Sequence, residues 1–164
     1  MLKKVCKLLS TSIIAILVII GGLLLIPRLF GCNTYAIISG SMQPNITVGS
    51  VVYTKDIDFN KLEVGDIVSY RLSSKIVTHR IAEIDKENKQ VVTKGDANTV
   101  VDASPISESN IIGKVIFSVP LLGYISMYIK TPLGIICILL ILILLIILEY
   151  LPSAFESNNK KENQ

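Results

Sequence analysis

The residues of this chain best suited to covalent chemistry are a serine and the single histidine. Ser41 stands in Ile37-Ile38-Ser39-Gly40-Ser41-Met42-Gln43-Pro44, where Gly40 allows close backbone approach and Pro44 stiffens the exit. His79 stands in Ile76-Val77-Thr78-His79-Arg80-Ile81, a run of alternating character. A serine hydroxyl is protonated and weakly nucleophilic at neutral pH, so it needs a base beside it. An imidazole, with an ordinary pKa of about 6.5, is largely neutral there and can take the proton. Such a base works best when a carboxylate fixes its tautomer and stabilises the imidazolium. Thr93-Lys94-Gly95-Asp96-Ala97-Asn98-Thr99-Val100-Val101-Asp102 offers two acids for that task, Asp96 and Asp102. Each stretch taken singly has a plainer meaning: a polar turn, and a hydrogen-bonded structural histidine.

Other chemistries fit poorly. Asp96-x-Asn98 begins like a calcium loop, but Val100 and Val101 stand where an oxygen ligand and the turn glycine belong. A lone histidine argues against zinc, and no metal or other cofactor is expected. Asn45-Ile46-Thr47 is a formal glycosylation triplet, yet a glycan there would obstruct Ser41. Cys6 and Cys137 lie in apolar segments and Cys32 stands alone, so no disulfide framework is expected. A net charge of +3, with no basic stripe interleaved with aromatics, argues against nucleic acid.

The elements that must position these residues follow from hydropathy. The chain has 164 residues, 51% of them hydrophobic, too apolar for an ordinary soluble domain. The excess sits in two blocks. Leu8 to Ile26 is about 19 residues, enough to span roughly 28 Å of hydrocarbon. Leu133 to Leu148 is shorter but nearly pure Ile and Leu, opened by Pro132 and closed by Glu149, Tyr150 and Pro152. Lys3, Lys4 and Lys7 precede the first block and only Arg28 follows it closely, which places the N-terminus in the cytoplasm. Lys160 and Lys161 place the C-terminus on the same side. A removable signal peptide would share the basic start and apolar run, and Gly31-Cys32 resembles a lipoprotein processing site. The length of the run, Pro27-Arg28 and bulky Phe30 favour a retained anchor.

The expected division is a cytoplasmic start at 1–7, a span at 8–26, an extracytoplasmic β domain at 27–132, a second span at 133–151 and a cytoplasmic tail at 152–164. Within the domain, β-branched and alternating runs predict strands over Ser50–Thr54, Asp66–Arg71, Lys75–Ile84, Gln90–Thr93 and Ile111–Val119. Phe59 to Gly65 reads as a polar loop, Asp85 to Lys89 as a charged hairpin, and Asp96 to Asn110 as a loop. Leu121 to Ile129, with Tyr124 and Tyr128 among apolar residues, suits the membrane interface. The fold class is all-β, a small partly open β-barrel flanked by two transmembrane helices.

Taken together, Ser39-Gly40-Ser41-Met42-Gln43-Pro44, Thr78-His79-Arg80-Ile81 and Thr93-Lys94-Gly95-Asp96-Ala97-Asn98 with Asp102 resemble the ordered boxes of type I signal peptidases. Gly65-Asp66-Ile67-Val68 resembles the box before the base, so the likeness runs from Ser39 to about Val119. The match is to the endoplasmic-reticulum type, found in the eukaryotic signal peptidase complex, in archaea and in SipW-like enzymes of Gram-positive spore formers. His79-Arg80 stands where the common bacterial enzymes carry lysine-arginine. Ala97 departs from the asparagine of many relatives.

The resemblance implies a membrane-bound serine endopeptidase that removes signal peptides from exported precursors. It makes Ser41 the nucleophile, His79 the base, Asp102 the carboxylate partner and Asp96 a second important acid. It places the Ser39 hydroxyl and the Ser41 amide in an oxyanion hole. On this reading Gly95 permits a tight turn in which Asp96 accepts backbone N–H bonds, while the loop to Asp102 folds back over the histidine strand. The partners implied are exported precursors and membrane lipid, with any accessory subunit left open. The location implied is a plasma membrane, or the endoplasmic reticulum in a eukaryote. The rival from another class is a non-catalytic anchored β domain that binds an exported partner.

Overall fold

A computed structural model describes residues 2–129 and 131–162, with side chains from residue 3 to residue 150. The chain forms two compact units. One comprises the terminal segments, up to Leu23 and from Tyr128 onward, and the other is Leu24–Met127.

The terminal segments are helical. α1 covers Leu2–Leu29 and α3 covers Pro132–Glu162. Their apolar stretches, Lys3–Leu29 and Pro132–Tyr150, are long and apolar enough to cross a membrane. Pro27 falls in the last turn of α1, and the helix runs only two residues beyond it. Gly31 then turns the chain at a φ of +77°. α3 opens on a cap: Thr131 Oγ1 accepts from Gly134 N at 3.1 Å, and Pro132 occupies the first helical position.

The middle unit is a mostly antiparallel sheet of seven strands. These are β1 Cys32–Ala36, β2 Val51–Lys55, β3 Ile67–Leu72, β4 Lys75–Asp85, β5 Gln90–Lys94, β6 Ile106–Ser107 and β7 Ile111–Val119. Their order is β1-β2-β7-β3-β4-β5-β6, so the last long strand returns between β2 and β3. β1 and β6 each have one neighbour, and the barrel is not closed. Register shifts at Tyr53/Thr54, Ser69/Tyr70 and Ile81/Glu83 bend the sheet, as bulges do.

Alternation assigns the faces. Val68 and Tyr70 of β3 join Phe59, Leu62, Ile81, Val91 and Ile106 in one core cluster. Ile37, Met42, Ile46 and Val52 form a second. Ser69 is buried on the other face, where its hydroxyl meets Thr54 at 3.0 Å and Thr78 at 2.9 Å. Gly113 of β7 stands opposite Ser69 and presses on Lys55, whose carbonyl oxygen would lie 2.2 Å from any added Cβ.

Several expectations change. Phe59 to Gly65 is not simply a polar loop: a 3-10 turn at Phe59–Lys61 sends Phe59 and Leu62 into the core. The Asp96 to Asn110 stretch contains β6 and a second 3-10 turn at Glu108–Asn110. Leu121 to Ile129 contains a short helix, α2, at Leu122–Tyr128, with Leu122 and Gly123 buried. α2 packs on Gly49, where an added Cβ would meet the Tyr124 ring at 2.0 Å.

Candidate active site

Ser41 is presented by the turn between β1 and β2. Met42 and Ile46 are 1% and 4% exposed and anchor that turn in the second core cluster. Backbone bonds from Gln43 N to Gly40 O at 3.0 Å and from Ile46 N to Met42 O at 2.9 Å tighten it. The Ser41 carbonyl is held from the far side, accepting from Ala97 N at 2.9 Å. This contact needs a glycine next to it, since a Cβ on Gly95 would lie 2.6 Å from the Ser41 oxygen.

His79 lies on β4 opposite Val68 of β3, its side chain only 11% exposed. Its Nε2 is 3.1 Å from Ser41 Oγ, and its Nδ1 is 2.6 Å from Asp102 Oδ2. With the proton on Nδ1, that nitrogen donates to the carboxylate and Nε2 accepts from the serine hydroxyl. The fold thus brings the predicted Ser41, His79 and Asp102 into one hydrogen-bonded line. Asp102 reaches the line because its N–H donates to Thr93 O at 2.8 Å, pinning the loop back on β5.

Asp96 does not touch His79. Its carboxylate accepts from Arg80 Nε at 2.8 Å, Arg80 Nη2 at 2.7 Å and Asn45 Nδ2 at 2.7 Å. The expected backbone N–H bonds to Asp96 are replaced by these side-chain donors, because the turn aims the carboxylate across to β4. Asp96 therefore ties the serine turn, through Asn45, to the residue after the histidine. The same contact occupies the Asn45 amide of the formal glycosylation triplet. Ser39 Oγ lies 3.4 Å from Ser41 Oγ, beside it but too far for a well-formed O–H···O bond. The Ser41 backbone N–H has no partner among the described residues.

The electrostatics follow these contacts. The hydrogen bonds from Arg80 hold the Asp96 carboxyl below the usual range, with Asn45 adding to them against burial. Burial pushes the Asp102 carboxyl upward, but donation from Thr93, then His79, then Tyr70 outweighs it and leaves a net depression. Burial pushes the Tyr70 phenol up to about 12.

Tyr70 and Thr93 were invisible as site residues in the sequence, being ordinary strand formers. Thr93 Oγ1 is 2.6 Å and Tyr70 OH 3.3 Å from Asp102 Oδ2. Asn45 carries only the signal of a glycosylation triplet in the sequence, and its closeness to Ser41 is the one hint of its contact with Asp96. Arg80 had a better signal, its place beside His79.

A cleft of about 600 Å³ opens at the line, walled on one side by Ile37, Ile38 and Ser39 and on the other by Lys75 to His79. β5 pairs with β4 only from Arg80 onward, so among the described residues the Lys75 to Thr78 edge facing away from β3 has no strand beside it. A second concavity of about 600 Å³, lined by Asp56, Asp58, Asn60, Lys89 and Glu108 among others, has no serine or histidine. Among the described residues no three His, Cys, Asp or Glu side chains gather to hold a metal.

A serine, a buried imidazole and a depressed carboxylate in line at the mouth of an apolar cleft is the arrangement of serine hydrolases. Comparison with known proteins agrees in kind. The profile of the family "Signal peptidase, peptidase S26" matches residues 10–95, just over half of the 164-residue chain, and the chain belongs to that family. It is 36% identical over 89 residues to signal peptidase I W of Bacillus subtilis, covering 52% of this chain and 47% of that protein. It is 32% identical over 108 residues to the signal peptidase complex catalytic subunit SEC11 of Zygosaccharomyces rouxii, covering 57% and 64%. The SEC11 subunit of Ogataea parapolymorpha is 31% identical over 118 residues, covering 57% and 65%. The chain spans about half the length of the first relative and under two thirds of the other two.

Proposed function

We propose that the chain is a membrane-bound serine endopeptidase that removes signal peptides from exported precursors. The observation that carries this reading is the unbroken line Ser41 Oγ–His79 Nε2 at 3.1 Å and His79 Nδ1–Asp102 Oδ2 at 2.6 Å. His79 takes the serine proton as Ser41 Oγ bonds to the scissile carbonyl carbon. The carbonyl oxygen becomes an oxyanion, received by the Ser41 N–H and the Ser39 hydroxyl. His79 then gives its proton to the leaving amine as the C–N bond breaks, which frees the mature N-terminus. A water, deprotonated by His79, attacks the ester on Ser41. The signal peptide leaves as a carboxylate and the serine regains its proton.

An extended substrate segment fits as an added strand along the unpaired Lys75 to Thr78 edge of β4, using backbone hydrogen bonds for affinity. The apolar walls at Ile37 and Ile76 suit small aliphatic residues before the cut. Two helices able to cross a membrane confine enzyme and substrate to one bilayer, raising their effective concentration. Lys3, Lys4 and Lys7 in the first turns of α1 favour an N-terminus in the cytoplasm, and with two spans the C-terminus returns there and the β domain lies outside. The proposed division is a cytoplasmic start at 1–7, spans at 8–26 and 133–151 that overlap the apolar helical stretches Lys3–Leu29 and Pro132–Tyr150, the β domain between them, and a cytoplasmic tail at 152–164.

The test is cleavage of a panel of exported precursors by the purified full chain in detergent. The reading requires cleavage that depends on Ser41 and a covalent adduct trapped on it. Cleavage that survives Ser41→Ala overturns it. Tight binding without cleavage points instead to an anchored binding domain.

A further inference from the structure

Behind the Ser41–His79–Asp102 line lies a pair of hydroxyls that the mechanism above does not use. Tyr70 on β3 is 2% exposed and Thr93 on β5 is 0% exposed. Asp102 Oδ2 lies 2.6 Å from Thr93 Oγ1 and 3.3 Å from Tyr70 OH, and the two hydroxyls are 3.1 Å apart. Each hydroxyl has one proton to give. Thr93 has the shorter contact with the ionised carboxylate, so its proton goes there. Tyr70 then donates either to Thr93 Oγ1 or directly to Oδ2. Both routes end on the oxygen that accepts from His79 Nδ1.

We propose that Tyr70 and Thr93 are positioning residues: they pin Asp102 as a carboxylate with Oδ2 aimed at His79, and so fix the imidazole in the tautomer that turns Nε2 toward Ser41. The proposal rests on the reading of Ser41 and His79 as nucleophile and base. Losing either donor leaves burial less opposed, so the Asp102 carboxyl moves upward. A protonated Asp102 cannot stabilise imidazolium, and an unpinned one no longer fixes the ring. The titratable groups acting on Asp102 are His79 on β4 and Tyr70 on β3, while β5 supplies the uncharged Thr93. Asp96, earlier in the same loop, is engaged by Arg80 and Asn45, and its carboxyl is lowered by them first and by the charge of His79 last.

The experiment compares Tyr70→Phe, Thr93→Val and the conservative Thr93→Ser in the full chain in detergent micelles. One readout is the acid limb of the kcat/KM profile for precursor cleavage. The other needs no activity: the far-downfield Nδ1 proton of 15N-labelled histidine, unambiguous because His79 is the only histidine. In Tyr70→Phe and Thr93→Val, the loss of this signal on acidification should move up by about one pH unit, a tenfold change in proton affinity. The acid limb should move down, because a weakened carboxylate stabilises imidazolium less. Thr93→Ser should leave both where they are. The substitutions sit on different strands, so either one alone decides if the other fails to fold. A folded variant with lowered rate or melting temperature but unmoved acid limb and signal overturns the proposal. A shifted signal together with cleavage that survives Ser41→Ala supports the hydroxyl pair and overturns the nucleophile instead.

Discussion

Replacing Asp96 with asparagine tests the clamp between the serine turn and the histidine strand. The carboxylate receives Arg80 through two nitrogens at 2.8 and 2.7 Å and Asn45 at 2.7 Å. An asparagine keeps one good acceptor and turns an amide NH₂ toward a donor, so at least one contact is lost. Hydrogen bonds to charged groups contribute about 1.5–3 kcal/mol each. The Arg80 side chain is 34% exposed, so solvent screens part of the ion pair, and about 2 kcal/mol is expected for the clamp as a whole. At roughly 4–8 °C per kcal/mol for a domain of about 100 residues, melting should fall by about 8–16 °C. Turnover should fall as well, because a shift of about 1 Å in a positioned nucleophile costs on the order of 10²-fold.

The pH dependence has a definite sign. The folded Asp96 carboxyl is depressed by Arg80, so its contribution is complete above the unfolded value of about 3.9 and is lost as pH falls through the lower folded value. The melting gap between wild type and Asp96→Asn should therefore be widest near neutral pH and close in acid. Thermal unfolding of both proteins in detergent across a pH series measures it. A gap under about 2 °C at neutral pH, or one that persists unchanged in acid, refutes the clamp.

Asp102→Asn should lower single-turnover cleavage by about 10³-fold or more while moving melting less than Asp96→Asn does, since an amide favours the wrong imidazole tautomer. His79→Ala should cost on the order of 10²-fold or more in the chemical step with the fold intact; near-wild-type turnover would remove His79 as the base. Gly95→Ala should lower both melting and turnover, because its Cβ would meet the Ser41 carbonyl at 2.6 Å; an unchanged rate counts against the close approach. A cysteine placed in the Asp85 to Lys89 hairpin should be labelled from outside intact cells and one at Asn163 should not. The reverse pattern inverts the proposed topology.

Residue chemistry alone offered Ser41, His79 and two acids as candidates, and the resemblance to a family's ordered boxes gave them roles. A single histidine on an alternating strand and a serine in a glycine–proline turn are each commonplace, but their order along the chain with Asp96 and Asp102 is not. β2, β3, β4, β5 and β7 were legible because β-branched and aromatic residues alternate along them. β1 reads Cys-Asn-Thr-Tyr-Ala and β6 has two residues, so neither carries enough pattern to announce itself. α2 lacked a polar face from which a helical period could be read, and its place depends on Gly49 leaving room for Tyr124.

The division of labour between the two acids belonged to the tertiary structure. Asp96 and Asp102 share one loop and one chemistry, and local sequence supports either beside His79. What separates them is a backbone bond from Asp102 N to Thr93 O, which returns the loop to the sheet, and an arginine side chain that captures Asp96 first. Tyr70 and Thr93 meet Asp102 only because β3, β4 and β5 are adjacent in the sheet. Residue types determined which reactions this chain could support. Which atoms meet was decided by strand pairing, because a hydrogen bond acts over about 3 Å and residues far apart in sequence reach that distance only when the sheet brings them together.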